Sequence, residues 1–211
     1  MYIAIEGVIG VGKTTLARLL QPSFDADLLL EIFEENPFLS NFYSDRKRYA
    51  FQTQIFFLLS RYHQQRKGIQ EALQKESCII SDYTFKKDRL FAEVNLEGDE
   101  LEMYFKVHEA LAEKITFPDL TVYLRADTKV LMQRIAQRDR PYERMMDVDY
   151  IDILNQTYET HFGNNPGKNI LVINSNDLDY VRSPEDLEYV DQRIRQAMKL
   201  TPFQESLPIE L

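Results

Sequence analysis

Dense apolar runs of five to eight residues alternate with longer amphipathic stretches along the whole chain. YIAIE (2–6) carries apolar or small side chains on both faces, which predicts a fully buried strand, and TTLARLL (14–20) predicts the helix that follows it. DLLLEIF (27–33) is a second strand-like run, ended by the Asn36-Pro37 break. The stretch at 48–73, rich in Phe, Ile and Leu, is too long for a strand and apolar over a wide face, so it predicts a helix deep in the core. SCIISD (77–82) and LTVYLRAD (120–127) read as two more buried strands, with helical spacing over 99–115 between them. A helix over 128–138, a fifth strand over 169–175 and a closing helix over 183–198 that opens on Ser-Pro-Glu-Asp complete the series. Five short hydrophobic strands separated by helices predict a three-layer α/β fold, a five-stranded parallel sheet covered on both faces. One domain over 1–199 is expected, with a lid about 134–144 and a C-terminal tail at 200–211 that holds two prolines.

Composition narrows the partners. The formal net charge of −9 argues against a general nucleic-acid groove, which needs a basic field, and favours a small ligand held by locally clustered cations. There is no apolar run of about 18 residues, so no membrane span is expected. The opening residues lack the basic-then-apolar pattern of a secretory signal, and the single cysteine, Cys78, suits a reducing compartment, so a cytoplasmic location is expected. Within its strand-like run Cys78 reads as a small inert core thiol. His63, His108 and His161 are scattered and suggest no metal site.

The chemistry begins at GVIGVGKTT. Gly7, Val8, Ile9, Gly10, Val11, Gly12, Lys13, Thr14 and Thr15 fit the pattern G-x-x-x-x-G-K-[ST] between a buried strand and an amphipathic helix. Glycines let the backbone N–H groups converge on an anion, and the dipole of the following helix adds to the attraction. Lys13 would reach the β- and γ-phosphates of ATP, and the Thr14 hydroxyl would ligate Mg²⁺. Ligands of an open parallel sheet sit beyond the carboxyl ends of its strands. Three strands end in acid there: Glu31 and Asp82 become candidates for general base and Mg²⁺ organiser, whereas Asp127, just before a helix, reads as a cap or a solvated side chain. Arg134 and Arg138 are four apart on one helix face, with Arg140 following, and are expected to converge on the transferring phosphoryl group.

Taken in order, GVIGVGKTT, EIFEENPFLSNFYSD, FQTQIFFLLSR, SDYTFKKDRLFA and RIAQRDRPYE resemble the deoxyribonucleoside kinases, a branch of the P-loop kinases. The likeness runs from Met1 to about Ser175 and is strongest to the bacterial deoxyguanosine and deoxyadenosine kinases. It implies Glu31 as general base, Tyr43 with Glu143 at the sugar 3′-hydroxyl, and Gln54 with Arg61 and Asp88 at the base. Gln54 and Arg61 are seven apart, hence on one helical face, and supply the donors and acceptor a purine edge needs; Phe51, Phe57 and Phe91 are expected in the core beside it. It further implies a homodimer, with a hetero-oligomer as the alternative. One departure stands out: where many members have an arginine after the strand-end acid, this chain has Asp82-Tyr83-Thr84, and Arg89 or a lid arginine is the expected substitute.

The expected reaction is phosphoryl transfer from ATP·Mg²⁺ to the 5′-hydroxyl of a purine deoxynucleoside, deoxyguanosine first and deoxyadenosine second. A nucleoside monophosphate kinase on the same fold and a kinase of broader or pyrimidine range are the alternatives. A GTPase-type switch would carry D-x-x-G after the third strand and N-K-x-D; the chain has neither. A catalytically silent regulatory subunit has only Tyr83 in its favour.

Overall fold

The structure, a computed structural model, describes residues 1–75, 77–164, 167 and 169–201. The residues assigned to the tail lie, beyond 201, outside the described ones.

Strands β1 (Tyr2–Glu6), β2 (Ala26–Leu29), β3 (Cys78–Ser81), β4 (Leu120–Arg125) and β5 (Ile170–Asn174) form a sheet in the order β2-β3-β1-β4-β5. Every pairing is parallel, with Ile3 opposite Ile80 on one side and Leu120 on the other. β1 lies at the centre and is buried along its whole length. Its alternation sorts the core into two layers. Ile3 and Ile5 pack in one cluster with Leu16 and Leu20 of α1 (Lys13–Phe24). Tyr2 and Ala4 face the other way, into a cluster with Leu29, Ile79, Tyr83 and, from α3 (Arg46–Gln74), Ile69 and Ala72.

The predicted strands and helices all appear, with one strand shortened. The second run was expected over 27–33, yet β2 ends at Leu29. It is an edge strand whose one neighbour, β3, stops at Ser81 opposite Leu29, so the ladder has nothing further to pair with. Leu30 and Glu31 therefore run free of the sheet into a tight turn at Phe33–Glu35. The long helix and those beginning at Thr128 (α6, Thr128–Arg138) and Pro184 (α8, Pro184–Met198) fall within two residues of expectation. Ser183 caps α8, accepting from the Asp186 N–H at 3.2 Å. Asp127 occupies the cap position of α6 but its exposed carboxylate bonds no helix N–H, so solvation is its role. Cys78 is half-buried at the start of β3 rather than fully enclosed, and burial raises its thiol pKa.

Three helices had no counterpart in the sequence pattern: α2 (Leu39–Ser44), α4 (Lys86–Asn95) and α7 (Val148–Tyr158). The buried face of α4 includes Lys87 and Asp88 beside Leu90 and Ala92, and two charges on a core face erase its hydrophobic period. α7 had legible signals: an Asp147 cap on the Asp149 N–H and buried Tyr150, Ile151, Leu154 and Tyr158. Helix α5 (Gly98–Ala112) lies beside α3 and α4.

Candidate active site

β1 hands the chain directly to the glycine-rich loop. Gly10 and Gly12 have φ of 88° and 101°, left-handed values that an L side chain adopts only under strain. A Cβ on Gly10 would come within 2.9 Å of the Leu131 carbonyl, and one on Gly12 within 2.3 Å of the Tyr180 hydroxyl. The loop is thus clamped between α6 and Tyr180, whose hydroxyl donates to the Val11 carbonyl at 3.1 Å. The Lys13 ammonium folds back onto the loop, donating to the carbonyls of Gly7 at 2.7 Å and Val8 at 3.1 Å. Burial, with repulsion from Lys87, pushes its pKa down to about 8.

Two cavities meet at the loop. One, of about 540 Å³, is walled by Gly12, Thr15, Arg134, Gln137 and the segment Asn176–Val181. The other, of about 100 Å³, is lined by Ile9, Lys13, Thr14, Glu31, Asp82 and, from the end of α6 and the turn after it, Arg138 and Glu143, among others. Gly10 and Arg138 line both, which places them at the junction.

Beyond the sheet edge the acids and cations interlock. Asp82 accepts the Glu31 backbone N–H at 2.8 Å on one oxygen and the Thr14 hydroxyl on the other. A hydroxyl and a carboxylate brought together beside a phosphate loop are the hard oxygen donors Mg²⁺ takes alongside phosphate oxygens and water. Glu31 is gripped on both oxygens: Arg61 binds Oε1, and Lys87 binds Oε2 at 2.5 Å. Burial alone would raise the Glu31 carboxyl, but Arg61 and Lys87 outweigh it and hold it well below the usual carboxylate range. Arg61 also pairs with Asp88 and lies over the Phe57 ring at 4.3 Å. Burial pushes the Asp88 carboxyl up, and Arg61 only partly offsets this. Gln54 is buried seven positions before Arg61 on α3, and its Oε1, like Asp88 Oδ2, has no hydrogen-bond partner among the described residues. A buried acceptor without a donor costs about 1–3 kcal/mol.

In the turn after α6 Glu143 is buried, and Arg138 grips it with Nη2 at 2.7 Å from both oxygens. Arg140 sits over the Phe33 ring, 4.1 Å from its centroid. Tyr43 stacks on Tyr142 at 5.9 Å in the same cavity, and burial lifts its phenol well above its ordinary pKa.

A sequence profile of the deoxynucleoside kinases matches residues 3–199. The chain belongs to the deoxynucleoside kinase family. The deoxyguanosine kinase of Bacillus subtilis (strain 168) is 34% identical over 199 residues, covering 92% of this chain and 96% of the relative. The deoxyadenosine kinase of Dictyostelium discoideum is 33% identical over 191 residues, covering 88% and 76%. Among solved structures, a deoxyadenosine kinase from M. mycoides with products bound superposes with a TM-score of 0.79 at 26% identity, covering 93% of this chain and 100% of that one. The protein is therefore a kinase acting on deoxynucleosides.

In this kinase, of the residues expected at the site, Lys13, Thr14, Glu31, Tyr43, Arg61, Asp82, Arg138, Arg140 and Glu143 line the smaller cavity, Asp88 is buried against Arg61, and Gln54 is buried on the same helix outside the cavity lining. Arg134 lies elsewhere. Its guanidinium is spent on the carbonyls of Val11, Ser175 and Leu178, so it braces the loop from the larger cavity. Phe57 and Phe91 line the smaller cavity, whereas Phe51 packs against the core. Tyr83 is turned away into the core, where its hydroxyl donates to Gln64 Oε1 at 2.7 Å. Arg89 does not stand in for the missing arginine: it is half-exposed and pairs with Glu93 at 3.0 Å.

Three participants were missed. Lys87, whose Lys-Lys-Asp context reads as surface, is buried against Glu31. Gln64, three residues on from Arg61, donates to the Leu30 carbonyl at 2.6 Å and so steadies the chain beside Glu31. Glu6 closes β1 fully buried and accepts from Thr84 twice, Tyr158 and Gly7. An acid ending an apolar strand one residue before the loop was the signal for it.

Proposed function

We propose that the kinase transfers the γ-phosphoryl group of ATP to the 5′-hydroxyl of a purine deoxyribonucleoside, deoxyguanosine before deoxyadenosine. The observation that carries this is the largely buried carboxylate of Glu31, in one cavity with Lys13 and Arg61, with Asp88 paired to Arg61 behind it. Glu31 takes the proton of the attacking hydroxyl, Arg138 and Arg140 offset charge on the transferring group, and Tyr43 with Glu143 holds the sugar 3′-hydroxyl. Thr14 and Asp82 would hold Mg²⁺, which neutralises phosphate charge when bound. Arg61 offers N–H donors to purine O6 and N7, and the free acceptors of Gln54 and Asp88 take the N–H groups of a base such as guanine.

We place the kinase in nucleotide salvage in the cytoplasm, as a homodimer joined through helices. Supporting the dimer, Leu59 of α3 and Met103 of α5, on neighbouring helices, are 42% and 56% exposed. No described helix is long and apolar enough to cross a membrane. A broader acceptor range is the second reading, because the M. mycoides relative has been solved with dCTP as well as dATP.

Comparison of kcat/KM for the four deoxynucleosides tests the specificity. The expected order puts deoxyguanosine at least about tenfold above deoxyadenosine, and both above the pyrimidines, since buried polar groups left unpaired penalise the wrong base. Equal values for deoxycytidine and deoxyguanosine would transfer the case to the broader range.

A further inference from the structure

Lys87 stands out as a buried cation at the site with no assigned task. Its ammonium has one hydrogen-bond partner among the described residues, Glu31 Oε2 at 2.5 Å, and otherwise lies 5.5 Å from the centroid of the Phe91 ring. The other cation on Glu31 differs. Arg61 is tied on its far side to Asp88 and rests on Phe57, so it is fixed from two directions. Lys87 hangs on a flexible four-carbon stem and is held at one point.

Two further facts bear on what that cation does. The cavity in this closed arrangement measures about 100 Å³, well under the roughly 300 Å³ at which small-molecule pockets begin. A nucleoside cannot enter without something moving, and the acceptor hydroxyl needs one oxygen of Glu31. Oε1 is occupied by Arg61, tied on its far side to Asp88, and Oε2 by Lys87, held at this one point. The charges count the same way. Arg61 pairs with both Asp88 and Glu31, and Lys87 pairs with Glu31, with the buried Glu6 acting on it at longer range. When Glu31 accepts a proton it becomes neutral, and the ammonium loses the charge of its one hydrogen-bonded partner while negative charge collects on the phosphoryl group nearby.

We infer that Lys87 is a further catalytic residue: it cedes Glu31 Oε2 to the acceptor hydroxyl and moves its ammonium onto the transferring phosphoryl group. In that step the hydroxyl proton passes to Glu31. The acceptor oxygen bonds to the γ-phosphorus, the bond from that phosphorus to the bridging oxygen breaks, and its electron pair departs with ADP. Lys87 lines the same cavity as Lys13, Asp82 and Arg138, so the phosphoryl group would lie in the cavity its ammonium faces. The inference rests on the kinase reading given above, and it supplies the positive charge that Tyr83, turned into the core, does not.

The test compares the wild type with Lys87→Gln and Lys87→Arg. Gln keeps a donor for Glu31 Oε2 without the charge, and Arg keeps the charge. Turnover with ATP·Mg²⁺ and deoxyguanosine is measured beside deoxyguanosine binding and thermal midpoint. The expected result is a loss in kcat of about 10²–10³ in Lys87→Gln, of the size found on removing one donor to transition-state charge, with deoxyguanosine Kd within about threefold and recovery of at least tenfold in Lys87→Arg. Lys87→Gln turning over within about threefold of wild type overturns the inference. So does an equal loss in binding and turnover, or a loss that Arg does not relieve, since either marks a merely structural partner of Glu31. A wild type that phosphorylates no deoxynucleoside defeats the kinase reading itself, an outcome distinct from an active wild type with an active Gln variant.

Discussion

The Lys13 ammonium bonds to the carbonyls of its own loop, with its pKa pushed down to about 8 by burial first and by Lys87 second. A lowered lysine favours the neutral amine in the free protein, whereas a bound triphosphate favours the ammonium. ATP binding therefore takes up a proton. At pH 8 the uptake should be about half a proton per site, fading as pH falls toward 6, where the amine is already charged, and ATP affinity should weaken as pH rises past 8. Calorimetry in buffers of different ionisation enthalpy measures this directly; proton release, or none at all, would contradict it. At this scale the placement was legible where residue type meets a strand end: Glu31 and Asp82 line one cavity with Lys13 and Thr14. Lys87 was illegible because its burial is decided by Glu31, 56 positions away along the chain.

Helix α6 carries two arginines four apart that the sequence gives one role and the structure divides. Arg134 binds three backbone carbonyls that tie α6 and the segment after β5 to the phosphate loop. Arg138 grips the buried Glu143 at the junction of the two cavities. Arg134→Ala should act through the scaffold, lowering stability by about 1–3 kcal/mol through the orphaned carbonyls and raising the KM for ATP, with a smaller effect on kcat. Arg138→Ala should lower kcat by about 10²–10³ with stability reduced less. Steady-state kinetics beside denaturant midpoints separate the two; matching profiles would refute the division. The helical i, i+4 rule placed both side chains on one face correctly. It could not show that the face straddles a junction, because that depends on where the loop after β5 returns. Helix α4 was hidden for a related reason: its core-facing charges only make sense once Arg61 of α3 pairs with Asp88 and Glu31 after β2 pairs with Lys87.

Across the whole molecule the sheet order β2-β3-β1-β4-β5 brings the loop after β1, Glu31 after β2 and Asp82 after β3 to one end of the sheet. That convergence was readable because short apolar runs fix the strands and parallel strands open their ligand crevice at the carboxyl ends. The strand order itself was not readable, and neither was the contact of Asp82 with both Thr14 and the Glu31 backbone. The net charge of −9 coexists with a local cluster of Lys13, Arg61, Lys87, Arg138 and Arg140 around one small cavity, the arrangement expected for capturing a small anion-bearing ligand. The proposed role of Glu31, activating a hydroxyl acceptor, is tested most directly by phosphorus NMR of wild type and Glu31→Gln with ATP·Mg²⁺ and deoxyguanosine. The predicted result is a new phosphomonoester on the 5′ oxygen, formed by the wild type and slowed about 10²–10⁴-fold in Glu31→Gln. A wild type that leaves deoxyguanosine and deoxyadenosine untouched but phosphorylates their monophosphates, or a Glu31→Gln variant as fast as wild type, would contradict it.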